Sequence, residues 1–123
     1  MVDADRSRSS LEELIADDDE VAVAAITIAE LLVGVQLADD AHRAARQDFV
    51  DEVTEVIPII DYDAKVAASH AQLLVAVRRQ GRPRGAHDLI IAATANATQR
   101  EVVSADQAAY AGLPGVTLRS HRA

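Results

Sequence analysis

Apolar and polar residues follow each other in blocks along the chain, and the length of each block predicts an element. Residues 21–26 form a short, branched apolar run, which is typical of a strand buried on both faces. The next block, residues 27–37, has the length of a helix that Thr27 can open. Residues 56–60 predict a second strand. Pro58 places this strand at a sheet edge or at a bulge, because proline donates no ladder hydrogen bond.

A fourfold spacing marks a further helix between these two strands. Ala41, Ala45, Phe49 and Val53 recur at every fourth position within residues 39–53, so they share one helix face. We therefore predict that this face packs against the core.

The second half of the chain shows clear helix boundaries. Asp61 can cap a long helix that ends near Gln80, where Gly81 is placed as its stop. The remaining predicted elements are a short helix over 11–16, an apolar helix over 88–95, and strands over 101–104 and 116–118.

Strands that alternate with helices indicate an α/β fold, here a three-layer α/β/α sandwich around a parallel central sheet. The 123 residues, half of them apolar, suffice for one core and are too few for two ordinary domains, so residues 1–123 are interpreted as a single domain. The chain begins with a loop and a helix where such a fold usually begins with a strand. We expect that a first strand is missing.

Composition narrows the possible chemistry. The chain has no cysteine, so a bound metal would need oxygen or imidazole ligands, and 20 Asp and Glu against four His favour oxygen. The net charge of −8 argues against broad binding of nucleic acid but permits a nuclease whose clustered carboxylates are neutralised by a metal. Because the sequence contains neither a membrane-length apolar run nor a signal peptide, we expect a cytosolic protein without a membrane partner.

Three carboxylates stand out by position, and each has an ordinary alternative. Glu30 is the only charged residue within 21–35 and is costly to bury unless paired or bound to a metal, but Thr27 and Glu30 also fit a capping box. Asp88 begins an apolar helix and can be a simple N-cap. Asp106 follows an apolar strand and can be an ordinary turn aspartate.

Taken together, the three carboxylates indicate a metal site. The ends of elements can converge on one edge of a parallel sheet, and hard cations such as Mg²⁺ bind clustered oxygen ligands. A metal held by Glu30, Asp88 and Asp106 would lower the pKa of a bound water and orient it for attack on a phosphodiester. No nucleophilic side chain is then needed.

Three segments of the sequence resemble PIN-domain nucleases. Residues 26–31, with Gly34 shortly after them, resemble the helix that carries the second acidic residue of that family. Residues 81–95 look like the segment with the third acid and are the most specific match. Residues 104–116, with Asp106 and Tyr110, resemble the segment with the fourth acid.

The resemblance covers about residues 3–118 and points to VapC-like toxins of type II toxin-antitoxin systems. It implies an endoribonuclease whose acids bind Mg²⁺ or Mn²⁺, an RNA substrate, a cognate VapB-like antitoxin that blocks the site, and a homodimer. Family members begin with an apolar strand that ends in Asp. The resemblance therefore implies that this strand and the first catalytic Asp lie upstream of Met1, or that Asp3 or Asp5 replaces that acid.

The densest basic cluster lies just before the most specific of these segments. It consists of Arg78, Arg79, Arg82 and Arg84. We predict that Arg82 and Arg84 contact the RNA backbone, although a solvated helix end is the ordinary alternative. The two Tyr and one Phe are too few for a surface that stacks successive bases.

Other functional classes share parts of the pattern. A phospho-acceptor receiver domain has a similar length and acidity, and Asp3 with Asp5 mimics its acidic pair, but Lys65 is the only lysine and cannot provide its late-strand lysine. An aspartate-dependent phosphatase would need a strand before the same pair. A catalytically inactive PIN-like module that binds an antitoxin or dimerises is the alternative from a different class, because we expect the first acid to be missing.

Overall fold

The structure is a computed structural model that describes residues 21–104, 106 and 108–120. The predicted helix over 11–16 and the candidate ligands Asp3 and Asp5 lie outside these residues. The described elements are four strands and four helices. In chain order they are β1 (Val23–Ala24), α1 (Ala25–Leu37), α2 (Asp40–Val56), β2 (Ile59–Ile60), α3 (Ala64–Gln80), α4 (Ala86–Ala97), β3 (Val102–Ser104) and β4 (Leu118–Ser120).

The described strands pair in parallel, which confirms the predicted α/β class. Val23 of β1 lies opposite Ile59 of β2, and Val102 of β3 lies opposite Leu118 of β4. The chain divides into two compact units, the first ending at Ile60, and each unit contains one of these two-stranded sheets. That residues 1–123 form a single domain stays a prediction.

Arginine side chains of α2 close the C-terminal end of α1 in the first unit. The last carbonyls of a helix have no partner within the helix. Here Arg43 donates to the carbonyls of Val35 at 3.3 Å and Ala38 at 2.6 Å, and Arg46 donates to the carbonyl of Gly34 at 3.2 Å. These bonds fix the short connection between the two helices.

The predicted apolar face of α2 is correct for only half of its length. Phe49 and Val53 are buried and form the core of the first unit, but Ala41 and Ala45 are exposed. The first half of α2 is joined to α1 through arginine hydrogen bonds, so no apolar contact is needed there. The core residues and the apolar side chains packed against them are Phe49, Val53, Ile57, Val21, Val23, Ile28 and Leu31.

Helix α3 begins later than predicted and ends as predicted. Its N-cap is Asp63, whose side chain accepts a hydrogen bond from the Val66 amide at 3.0 Å, so the assignment of Asp61 as the cap is wrong. Asp61 follows β2 directly and lies two residues too early for this bond. Gly81 ends the helix in the left-handed conformation with φ 65°, where glycine has no steric penalty.

Small residues bring α4 close to its neighbours in the second unit. Ala92 and Ala93 are fully buried, and α4 packs against α3, whose Val66 and Leu73 are each 1% exposed. Strand β3 confirms the predicted strand over 101–104, whereas β4 begins two residues later than the predicted start at 116. In the part of the chain that the structure describes, no helix combines the length and apolar character needed to cross a membrane.

Candidate active site

Glu30 lies half-buried in the second turn of α1, and its Oε1 is shielded from solvent. The capping-box alternative is wrong, because α1 begins at Ala25 and its N-cap, Ala24, makes no side-chain hydrogen bond to the helix. The helix starts two residues before the predicted Thr27 because β1 already ends at Ala24, and alanine favours helix. Glu30 therefore does not close the helix start.

Asp88 is the third residue of α4 and is half-buried. The N-cap alternative is wrong for this residue as well, because Gly85 is the N-cap and no side chain caps the helix. The Leu89 amide donates to the Gly85 carbonyl at 3.1 Å, which starts the helix two residues before Asp88. A carboxylate in the first turn is stabilised by the helix dipole, and its oxygens remain available for other ligands.

Two residues of the second unit determine the space and the hydrogen bonding of the Asp88 carboxylate. The Tyr110 hydroxyl donates to Oδ1 of Asp88 at 3.3 Å, and the tyrosine is only 3% exposed. A Cβ atom added to Gly85 would lie 2.7 Å from Oδ2 of Asp88. The sequence did not predict either role, because Tyr110 is 22 residues from Asp88 and Gly85 resembles an ordinary loop glycine.

Asp106 lies just after β3 and is exposed. Its backbone amide donates to Oγ of buried Ser104 at 3.0 Å, and its Oδ1 accepts from the Ala109 amide at 3.3 Å. The turn-aspartate alternative is thus confirmed as local geometry. It does not exclude metal binding, because a carboxylate offers about four lone-pair positions and one such bond occupies a single one.

Residues 106 and 108–116, here called the 106–116 loop, are held by side chains of the rest of the second unit. Three backbone carbonyls accept these bonds: Gly112 from Gln80 Nε2 at 3.0 Å, Ala111 from Arg84 Nη2, and Pro114 from Asn96 Nδ2 at 3.2 Å. Through Tyr110 the same loop reaches Asp88. Two of the three predicted carboxylates are therefore tied to one well-anchored loop.

The donor set suits a hard divalent cation. Asp88 and Asp106 belong to the second unit and Glu30 to the first. Among the described residues of either unit, no group of three or more His, Asp or Glu side chains stands ready to hold a metal. Mg²⁺ is nevertheless commonly bound by only one or two carboxylates, with water and substrate phosphate completing its shell. The two carboxylates of the second unit, Asp88 and Asp106, are of that number and chemical type.

The two predicted RNA-binding arginines differ in environment. Arg82 is exposed, as are Arg78 and Arg79 in the last turn of α3. Arg84 is half-buried and donates to the carbonyl of Arg82 at 2.9 Å as well as to the carbonyl of Ala111. Its guanidinium therefore holds the 106–116 loop in place, while Arg82 is open to a ligand.

Known proteins resemble this chain over most of its length. A family model described as the PIN domain matches residues 1–111. The tRNA(fMet)-specific endonuclease VapC of Salmonella typhimurium is 26% identical over 98 residues, which are 78% of this chain and 71% of that protein. Ribonuclease VapC2 of Rickettsia felis is 27% identical over 108 residues, which are 88% of this chain and 79% of that protein.

A solved structure agrees with these sequence relatives. A chain of VapBC-5 from Mycobacterium tuberculosis, a member of the VapBC family of toxin-antitoxin systems, is 31% identical and superposes with a TM-score of 0.73. The superposition covers 84% of this chain and 82% of that one.

Proposed function

Because the chain belongs to the PIN-domain family, we propose that it is a metal-dependent endoribonuclease and the toxin of a type II toxin-antitoxin pair. The observation that carries the proposal is the family match over residues 1–111, which includes Glu30, Asp88 and Asp106. Two relatives named as nucleases, one for tRNA, support RNA as the substrate.

In this proposal Glu30, Asp88 and Asp106 provide oxygen ligands for Mg²⁺ or Mn²⁺. Such a metal, when bound, lowers the pKa of a water molecule and neutralises charge on the phosphate. The protein's own part is to present anionic oxygens. The first turn of α4 stabilises the Asp88 carboxylate, and the Tyr110 hydroxyl holds one of its oxygens.

The two threonine hydroxyls of α4 and its C-terminal end are not placed as nucleophiles. The Thr94 hydroxyl donates to the Ile90 carbonyl at 2.8 Å, and the Thr98 hydroxyl donates to the Thr94 carbonyl at 2.8 Å. A nucleophilic hydroxyl needs an adjacent general base, and these two donate to backbone carbonyls instead. Water is therefore the proposed attacking group.

We also propose a VapB-like antitoxin as a partner. Helix α1 exposes a row of apolar side chains, Leu32 by 37%, Val33 by 55% and Leu37 by 81%. Apolar surface of this kind commonly marks a protein interface. Since a similar solved structure belongs to the VapBC family of toxin-antitoxin systems, an apolar segment of the antitoxin is the proposed occupant of this face. A homodimer stays a prediction that rests on the family resemblance.

Replacing Arg82 with glutamine should weaken RNA binding without changing stability. Arg82 is exposed, and a lost phosphate contact lowers the slope of log affinity against log salt by about one. The matched change at Arg84 should instead lower the melting temperature, because it removes the bond to the Ala111 carbonyl. Salt titrations of RNA binding, with thermal melts of each variant, check both expectations. An unchanged salt slope for Arg82→Gln would contradict the assignment.

The nuclease proposal is tested by cleavage of a panel of structured RNAs with the full chain freed of any antitoxin. We expect cleavage in Mg²⁺ or Mn²⁺, none with a chelator, and recovery when metal is restored. Circular dichroism checks that the protein is folded in each condition. Folded protein that is inert with both metals would refute the nuclease and leave the inactive antitoxin-binding module as the better account.

A further inference from the structure

The two oxygens of the Asp88 carboxylate meet two different neighbours. Oδ1 accepts from the Tyr110 hydroxyl, and Oδ2 occupies the space that a side chain at position 85 would fill. Gly85 is the N-cap of the helix turn that carries Asp88, whereas Tyr110 lies 22 residues further along the chain. The orientation of this carboxylate is therefore set by its surroundings as well as by its own rotamer preference.

Position 85 favours glycine because there is no space for a Cβ atom, and not because of its backbone angles. Its φ of −59° and ψ of 138° are accessible to any residue. The nearest atoms to a Cβ at this position would all belong to Asp88, with Oδ2 at 2.7 Å, Cγ at 3.5 Å and Cβ at 3.9 Å. Cβ atoms essentially never approach an oxygen this closely, so a side chain at position 85 would push the carboxylate away.

Tyr110 contacts the same carboxylate from a loop that other side chains hold in place. The side chain is 3% exposed, and the loop around it is held by bonds from Gln80, Arg84 and Asn96. At 3.3 Å the hydroxyl bond is long for an O–H donor, so it orients Oδ1 without fully occupying it. Oδ1 can still be shared with a cation.

We infer that Gly85, which leaves room for one oxygen of the Asp88 carboxylate, and Tyr110, which donates to the other, jointly hold this carboxylate in a single orientation. They act as positioning residues of the metal site on whose proposed function this inference rests. Mg²⁺ requires nearly ideal geometry from its ligands. Groups that orient a metal-bound carboxylate typically contribute about 10- to 100-fold to metal affinity or activity. A glycine and a tyrosine that contact no metal themselves would thereby tune the site.

The test uses the full chain, first without metal. The side-chain carboxyl carbon of Asp88 is followed by ¹³C NMR, and its resonance is assigned by its loss in Asp88→Asn. Gly85→Ala and Tyr110→Phe should each shift this resonance. Tyr62→Phe is the matched control, because it removes a hydroxyl that bonds to His70 at 2.8 Å in the same unit. It should leave the Asp88 resonance unchanged.

The second readout is Mn²⁺ affinity, measured by EPR of the free ion. We expect Gly85→Ala and Tyr110→Phe to weaken binding about 10- to 100-fold, with melting temperatures close to that of the unchanged chain. Tyr62→Phe should bind Mn²⁺ normally. If Gly85→Ala fails to fold, Tyr110→Phe decides the result, because it removes a single oxygen from a ring that stays in place.

The outcomes separate this inference from the function on which it rests. If Asp88→Asn loses Mn²⁺ while Gly85→Ala and Tyr110→Phe keep both the resonance and the affinity, the positioning role is overturned and the metal role of Asp88 stands. If Asp88→Asn binds Mn²⁺ normally, Asp88 is not a metal ligand, and Gly85 and Tyr110 cannot be positioning residues of a metal site. If only one of Gly85→Ala and Tyr110→Phe changes the resonance and the Mn²⁺ affinity, the two residues do not act jointly.

Discussion

We expect the Asp88→Asn variant to keep its fold and to cleave RNA in Mg²⁺ at least about 100-fold more slowly than the unchanged chain. Asparagine has the shape of aspartate, but its amide lacks the negative charge that a hard cation requires from its ligand. Loss of a group that only orients a ligand already costs about 10- to 100-fold, so loss of the ligand itself should cost at least the upper figure. Initial rates at saturating RNA and Mg²⁺ measure the effect.

The control for this variant is Asp61→Asn. Asp61 is an exposed aspartate of the same unit that caps no helix, since Asp63 is the cap of α3. Its substitution should leave both the cleavage rate and the melting temperature unchanged. An Asp88→Asn variant that cleaves as fast as Asp61→Asn would contradict the assignment of Asp88 as a ligand.

The second large effect is expected at Glu30. Glu30→Gln keeps the size of the side chain in the apolar helix α1 but removes its charge, and should also reduce metal-dependent cleavage by about 100-fold or more. Glu30 lies in the second turn of α1, so the change does not disturb a helix cap. Glu55→Gln, on the exposed surface of α2, is the matched control.

The order and type of the described elements could be predicted from the sequence, because the spacing of apolar residues and the residues that begin or end helices are local features. The left-handed Gly81 at the end of α3 and the strand β3 lie where expected. Errors occurred where two local signals competed, as at Asp61 and Asp63, which are both good N-caps. The exposure of Ala41 and Ala45 depends on arginine contacts between helices, which a periodic pattern does not encode.

The sequence could name candidate site residues but not their arrangement, and their role as one metal site stays a prediction. Each candidate carboxylate was recognised because it interrupts or follows an apolar segment, yet the local alternatives for Glu30 and Asp88 could be rejected only from the positions of Ala24 and Gly85 as caps. The contact between Tyr110 and Asp88 spans 22 residues and depends on the anchored 106–116 loop. The local spacing of residues in a sequence does not predict such tertiary contacts.

The identity of the attacking group tests the central claim most directly. RNA is cleaved with Mg²⁺ in water labelled with oxygen-18, and the new ends are analysed by mass spectrometry. Attack by metal-activated water predicts a terminal phosphate that carries one labelled oxygen and no 2′,3′-cyclic phosphate. A cyclic phosphate without label would show attack by the 2′-hydroxyl of the RNA and would contradict the proposed mechanism.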